Sequence, residues 1–115
     1  MVVGHIDNLR QIEIQSPEVK GALKKVLISP KEGWEGWCMR LFTIQTGGYT
    51  PKHTHPWPHI NYIVSGQGTL ELDNQEYELK AGSFAYVPGG KLHQFRNNSD
   101  QDFCFICIVP EEGEA

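Results

Sequence analysis

An all-β domain, closed or nearly closed into a barrel, is the fold class that this sequence predicts, and three observations predict it. Nine short runs of alternating or β-rich residues follow one another along the chain. Glycine and proline punctuate them at close spacing. No stretch longer than a turn or two carries a 3.6-residue period with helix caps, and only SPEVKGAL, residues 16–23, could hold a helical turn. At 115 residues the compact solution for so many strands is one barrel, with no room for a second module.

The elements follow in order. QIEIQ (11–15) alternates apolar and polar, and KKVLIS (24–29) is a short β-rich run. WCMRLFTIQ (37–45) is a longer strand, expected to end at Gly47 and Gly48. HINYIVS (59–65) stops at the turn signal GQG. GTLELD (68–73) and QEYELK (75–80) meet at Asp73 and Asn74, a tight hairpin. SFAYVP (83–88) leads through PGGK into LHQFRN (92–97). After the polar turn NNSDQD, FCFICIV (103–109) is the last strand, and the acidic tail PEEGEA is expected to fray. No internal repeat or linker divides the chain.

Composition bounds the partners. A hydrophobic fraction of 39% with 21% charged residues describes a soluble globular domain. No apolar run approaches the ~20 residues that span a bilayer, and the start MVVGHIDNLR lacks the features of a signal peptide. The expectation is therefore cytoplasmic. The net charge of −4 and scattered lysines and arginines argue against nucleic acid, and KGALKK (20–25) reads as a solvated strand edge or turn. Three cysteines, Cys38, Cys104 and Cys107, make no disulfide framework. Cys104 and Cys107 are three apart in a strand and so face opposite ways, which reads as packed thiols. Phe103, Phe105 and Cys107 share one face of that strand and Cys104, Ile106 and Ile108 the other. Which set lines the interior is open at this level.

Chemistry concentrates in KHTHPWPH, residues 52–59, which holds three of the chain's five histidines. His53 and His55 are two apart, so on a strand both point to one face and can reach one ion. His59 follows two prolines that hold the connection extended. His93, behind the turn PGGK, could return from another strand. Imidazoles suit Mn, Fe, Co, Ni, Cu or Zn and do not suit Ca or Mg. The alternative is a histidine-rich surface loop. His5 has no partner nearby and reads as an exposed terminal residue.

Two longer patterns resolve that choice by resemblance. GGYTPKHTHPWPHINYIVSG, residues 47–66, resembles the first cupin motif: Gly, five residues, His-x-His, three or four residues, Glu, six residues, Gly. Gly47, His53, His55 and Gly66 are in register with it. GSFAYVPGGKLHQFRN, residues 82–97, matches the second motif at Gly82, Pro88, Gly90, His93 and Asn97. The resemblance is to small single-domain cupins and covers residues 39–109. It implies a jelly-roll, or double-stranded β-helix, barrel with one metal inside, and it carries His53, His55 and His93 over as ligands.

His59 stands where the family usually has glutamate. That departure resembles a subset of bacterial and archaeal cupins with four histidine ligands, the best known of them manganese-binding homodimers. It implies His53, His55, His59 and His93 around one divalent ion, Mn first, with Fe, Ni, Zn, Co or Cu as alternatives. Four neutral ligands leave the full +2 charge on the ion. An octahedral ion would keep two positions for water, dioxygen, peroxide or a bidentate substrate.

Around that site the pocket candidates are Arg40, Asn61, Phe105 and Cys107, with Gln94 and Tyr86 as further neighbours. Arg40, amid CMRLFTI, is either on the solvent face of its strand or a buried anion anchor, and the first reading is slightly ahead. Trp57 lids the barrel mouth or packs at an interface, and Trp34 and Trp37 read as packing. Residues 1–38 lie outside both motifs and are expected at a homodimer interface, ahead of the barrel at 39–109 and the tail at 110–115. The function expected is metal-dependent, dioxygenase-like oxidation of a small organic molecule. The alternatives are a non-catalytic binding or sensor module and a metal-dependent isomerase or decarboxylase.

Overall fold

The computed structural model describes residues 1–114. Nine strands form one continuous hydrogen-bonded system: β1 (Ile12–Glu13), β2 (Lys20–Ile28), β3 (Trp37–Tyr49), β4 (His59–Ser65), β5 (Gln67–Leu72), β6 (Gln75–Lys80), β7 (Phe84–Val87), β8 (His93–Arg96) and β9 (Phe103–Pro110). The order runs β6-β5-β8-β3-β9-β4-β7, and β2 with β1 branches from β3. All pairs are antiparallel, and the sheet curls into a nearly closed barrel.

β3 makes that curl possible. Residues 37–44 pair with β9, whereas Tyr49 pairs with Arg96 of β8. Between them Gln45 to Gly48 bulge out opposite the single residue Gly21 of β2. The expected stop at Gly47 and Gly48 is therefore a corner inside one strand. Gly47 takes φ 78° there, in the left-handed region. Asn97 braces the corner: its N–H donates to Gly48 O and its O accepts from Gly47 N–H. Its buried side chain donates to Ile44 O (2.8 Å) and Gln101 O (2.7 Å).

The hairpin β5–β6 turns through Asp73 and Asn74, both at positive φ (53° and 68°), as a type I′ turn requires. The helical turn expected over 16–23 is replaced by a turn and then β2, because residues 20–28 find a full-length partner in β3. The described part of the acidic tail, residues 110–114, is not frayed, and Ala115 lies outside the described residues. Residues 111–113 form a 3-10 turn, and Glu114 pairs with Lys24 (2.8 Å) and Arg40 (3.2 Å). The buried core takes Ile44, Ile63, Leu70, Leu79, Val87, Phe95, Phe103, Phe105 and Cys107. The inner face of β9 is thus Phe103, Phe105, Cys107 and Val109, while Cys104, Ile106 and Ile108 lie outward and half-buried. All three cysteines are free. No helix among the described residues is long and apolar enough to cross a membrane.

Candidate metal centre

His53 and His55 do not lie on a strand, as their spacing suggested. They sit in the extended segment between β3 and β4, whose prolines lack backbone N–H donors for a ladder. One isolated bridge pins it: His53 and His93 exchange both backbone hydrogen bonds at 3.1 Å. Gly90 N–H donates to His55 O at 2.8 Å, and Lys52 pairs with Glu71 at 2.8 Å. Lys52 and Arg96 hold the Glu71 carboxyl below the usual carboxylate range. His59 opens β4 and His93 opens β8.

Local bonds also aim the rings. His93 Nδ1 lies 2.9 Å from Lys91 O, and His55 Nδ1 lies 2.7 Å from Trp57 O. Carbonyls only accept, so in the neutral rings both Nδ1 atoms carry the proton and both Nε2 atoms are bare. His59 Nδ1 lies 2.6 Å from Asn61 Oδ1. Asn61 Nδ2 faces Ile106 O at 3.5 Å, which fixes the amide with its oxygen toward His59. His59 Nε2 is therefore bare as well. It stands 3.2 Å from His93 Nε2, with lone pairs on both sides and no hydrogen between.

That arrangement repels itself unless a cation lies between the two nitrogens. His53, His55 and His93 each offer a ligand atom, all within 4.8 Å of one another, and could hold a metal ion. His59 falls outside that tightest group, but its ring is 4.9 Å from that of His93 and 5.4 Å from that of His55. Burial holds the His59 pKa down at about 3, opposed by its bond to Asn61 and aided by His93, His55 and Arg40. Burial also lowers His53 and His93. Neutral imidazole is the form a metal needs.

The histidines line one wall of a cavity of about 150 Å³. Arg40, Asn61, Phe105 and Cys107 all line it too, as do Trp57, Phe42 and Phe95. Arg40, for which solvent was the favoured reading, is only 8% exposed. It donates to Cys107 Sγ (3.0 Å) and Glu114 Oε1 (3.2 Å), and its guanidinium lies over the Phe42 ring at 4.8 Å. Trp57 stacks on His55 with ring centroids 5.0 Å apart. Tyr86 is exposed, and Gln94 donates to Thr50 O, so neither forms part of the cavity wall. His5 is exposed and caps a short 3-10 turn. Sequence reasoning missed Glu114. The one available signal was Arg40 itself, since a guanidinium inside a barrel needs a counter-charge.

Comparison with known proteins agrees with this architecture. Residues 40–109 match the model of the cupin domain. The chain belongs to the cupin family. Among curated relatives, an uncharacterized protein of Methanocaldococcus jannaschii is 31% identical over 65 residues, covering 56% of this chain and 52% of its own. The 1-methylthio-D-xylulose 5-phosphate methylsulfurylase of Rhodospirillum rubrum is 27% identical over 107 residues, 93% of this chain and 67% of the relative. This cupin thus spans about half the length of the first and two thirds of the second. Among solved structures, the polyketide cyclase RemF of Streptomyces resistomycificus superposes with a TM-score of 0.90 at 25% identity, over 96% of this chain and 79% of its own.

Proposed function

We propose that this cupin holds one divalent transition metal, manganese first, through His53, His55, His59 and His93, and catalyses dioxygenase-like oxidation of a small organic molecule in the cytoplasm as a homodimer. The observation that carries the metal is the pair of bare Nε2 atoms 3.2 Å apart on His59 and His93. A bound ion would supply a Lewis acid and a redox centre. The chain's own residues aim the ligands, exclude water with Phe42, Phe95 and Phe105, and orient substrate against one wall. No aspartate or glutamate is among the described residues lining the cavity, which disfavours isomerisation through a carboxylate base. Oxidation needs no such base.

A second reading is favoured by the relatives. One is named for chemistry on a sugar phosphate and one for polyketide cyclisation, and neither name denotes oxidation. Elemental analysis after incubation with Mn, Fe, Zn and Ni, followed by oxygen-uptake assays, separates the readings. One equivalent of metal with oxygen consumption supports the first. Metal without oxidant turnover moves the protein to non-oxidative catalysis or to binding. A protein that stays metal-free sinks both metal readings. His59→Ala tests the fourth ligand: its metal affinity should drop at least about tenfold, and unchanged affinity restores a three-histidine site.

The dimer is supported by two features. β1, two residues long, is an edge paired only to β2, and the outer face of β4 and β7 exposes Ile60, Tyr62, Val64, Phe84 and Tyr86 together.

A further inference from the structure

Arg40 is a buried charge whose surroundings do not balance it. Its residue is 8% exposed, and its Nε is fully buried with no hydrogen-bond partner among the described residues. An orphaned guanidinium N–H in a barrel interior costs free energy unless something accepts from it. Among the described residues one carboxylate reaches it, Glu114, and Lys24 shares the same carboxylate at 2.8 Å. Its other partner, Cys107, stays a neutral thiol because burial raises its pKa. Glu114, itself outside the cavity lining, is thus shared between two cations, and Arg40 is the one lysine, arginine, aspartate or glutamate among the described residues that line the cavity.

The register connects Arg40 to the histidines. Arg40 of β3 is opposite Cys107 of β9, and Cys107 is opposite Asn61 of β4. Asn61 in turn holds His59 at 2.6 Å. Arg40 thus stands at one end of a row across three strands whose other end, Asn61, holds a histidine of the cluster. The next row on the same inner face is aromatic: Phe42 lies opposite Phe105, which stacks on Phe95 at 4.4 Å and on Phe42 at 5.6 Å. A cavity of about 150 Å³ is of the size that takes a benzene ring.

We infer that this cavity is a subsite for a small organic monocarboxylate, whose carboxylate docks on Arg40 and whose apolar body lies against Phe42, Phe95 and Phe105. A carboxylate suits the planar guanidinium of Arg40, and its single negative charge matches a cation that shares its counter-charge Glu114 with Lys24. A phosphate would bring a second negative charge and more acceptors than this apolar wall can satisfy. This deepens the reading of the cavity as the substrate site of a metal cupin, but Arg40 itself does not need the ion.

The test is a titration of benzoate into metal-free and manganese-loaded protein by calorimetry, with the arginine Nε–Hε signals followed by NMR in the metal-free form. The chain has three arginines, so the Arg40 signal can be assigned with Arg40→Lys. Saturable binding to both forms with a shift of the Arg40 signal is expected. Arg40→Gln should weaken benzoate at least about tenfold. Benzamide, the neutral isostere, and inorganic phosphate should bind at least about tenfold more weakly than benzoate. Because Arg40→Gln removes a buried charge, its fold is checked by circular dichroism, and the wild-type NMR shift stands independently of it. A benzoate that binds without moving the Arg40 signal overturns the inference, as does equal binding of benzamide or phosphate. Binding confined to manganese-loaded protein and retained in Arg40→Gln also overturns it, since the carboxylate would then sit on the ion. A protein that takes no metal but binds benzoate through Arg40 keeps the inference and loses the metal reading.

Discussion

Asn61 is buried completely, and its amide does two things at once: the oxygen accepts from His59 Nδ1 and the nitrogen faces Ile106 O. Replacing it with leucine keeps the branching at Cγ but removes the acceptor, so His59 can rotate or change tautomer. Metal affinity of Asn61→Leu, measured by competition with a chromophoric chelator, should fall about 10–100-fold; an unchanged value would separate Asn61 from the site. The same histidine sets a pH dependence in the metal-free protein. Its folded pKa, about 3, lies below the unfolded value of about 6.5. Through that window the unfolded chain binds a proton that the folded chain refuses, so stability is lost as pH falls. The slope from one buried group is up to about 1.4 kcal/mol per pH unit. Thermal unfolding in chelator between pH 6.5 and 4.5 should therefore drop more for the wild type than for His59→Leu. Equal drops would assign the effect elsewhere.

Among the elements, β5 and β9 meet at one crowded point. Phe103 is fully buried, and its ring lies flat against Gly68, where a Cβ would run into the ring. Gly68→Ala must push a core aromatic ring or bend β5, which should cost about 1–3 kcal/mol in urea unfolding. Gly4→Ala, with open space around it, should stay within about 0.5 kcal/mol of wild type. The hairpin β5–β6 was legible from Asp73 and Asn74 because a type I′ turn is a local requirement. The corner in β3 was not, since Gly47 and Gly48 punctuate a strand equally well as an end or as a bend. The distant partners Lys20, Arg96 and Asn97 decide that the strand continues to Tyr49.

For the whole molecule, the outer face of β4 and β7 exposes a group of large apolar side chains that a monomer's surface seldom gathers. Ile60 lies opposite Tyr86 and Tyr62 opposite Phe84, and Phe84 is 80% exposed. With the homodimer proposed above, the wild type should sediment as a dimer and Tyr62→Glu with Phe84→Glu as a folded monomer. A double variant that remains dimeric would place the interface elsewhere, with the segment 1–38 the next surface to change.

The sequence by itself determined the strands, the hairpin and the set of chemically notable residues. Their periods, turn residues and motif spacings are local properties, written within a few positions of where they act. His53, His55, His59 and His93 were identifiable for that reason. Tertiary structure alone decided which face of β9 points inward, because alternation is symmetric between inside and outside until a sheet closes. It alone placed Arg40 in the cavity and brought Glu114 back across 74 positions to meet it. It also decided that His53 stands in a loop, pinned to His93 by a single bridge. Each of these depends on contact between segments far apart in the chain, and such contacts follow from barrel closure rather than from any one segment.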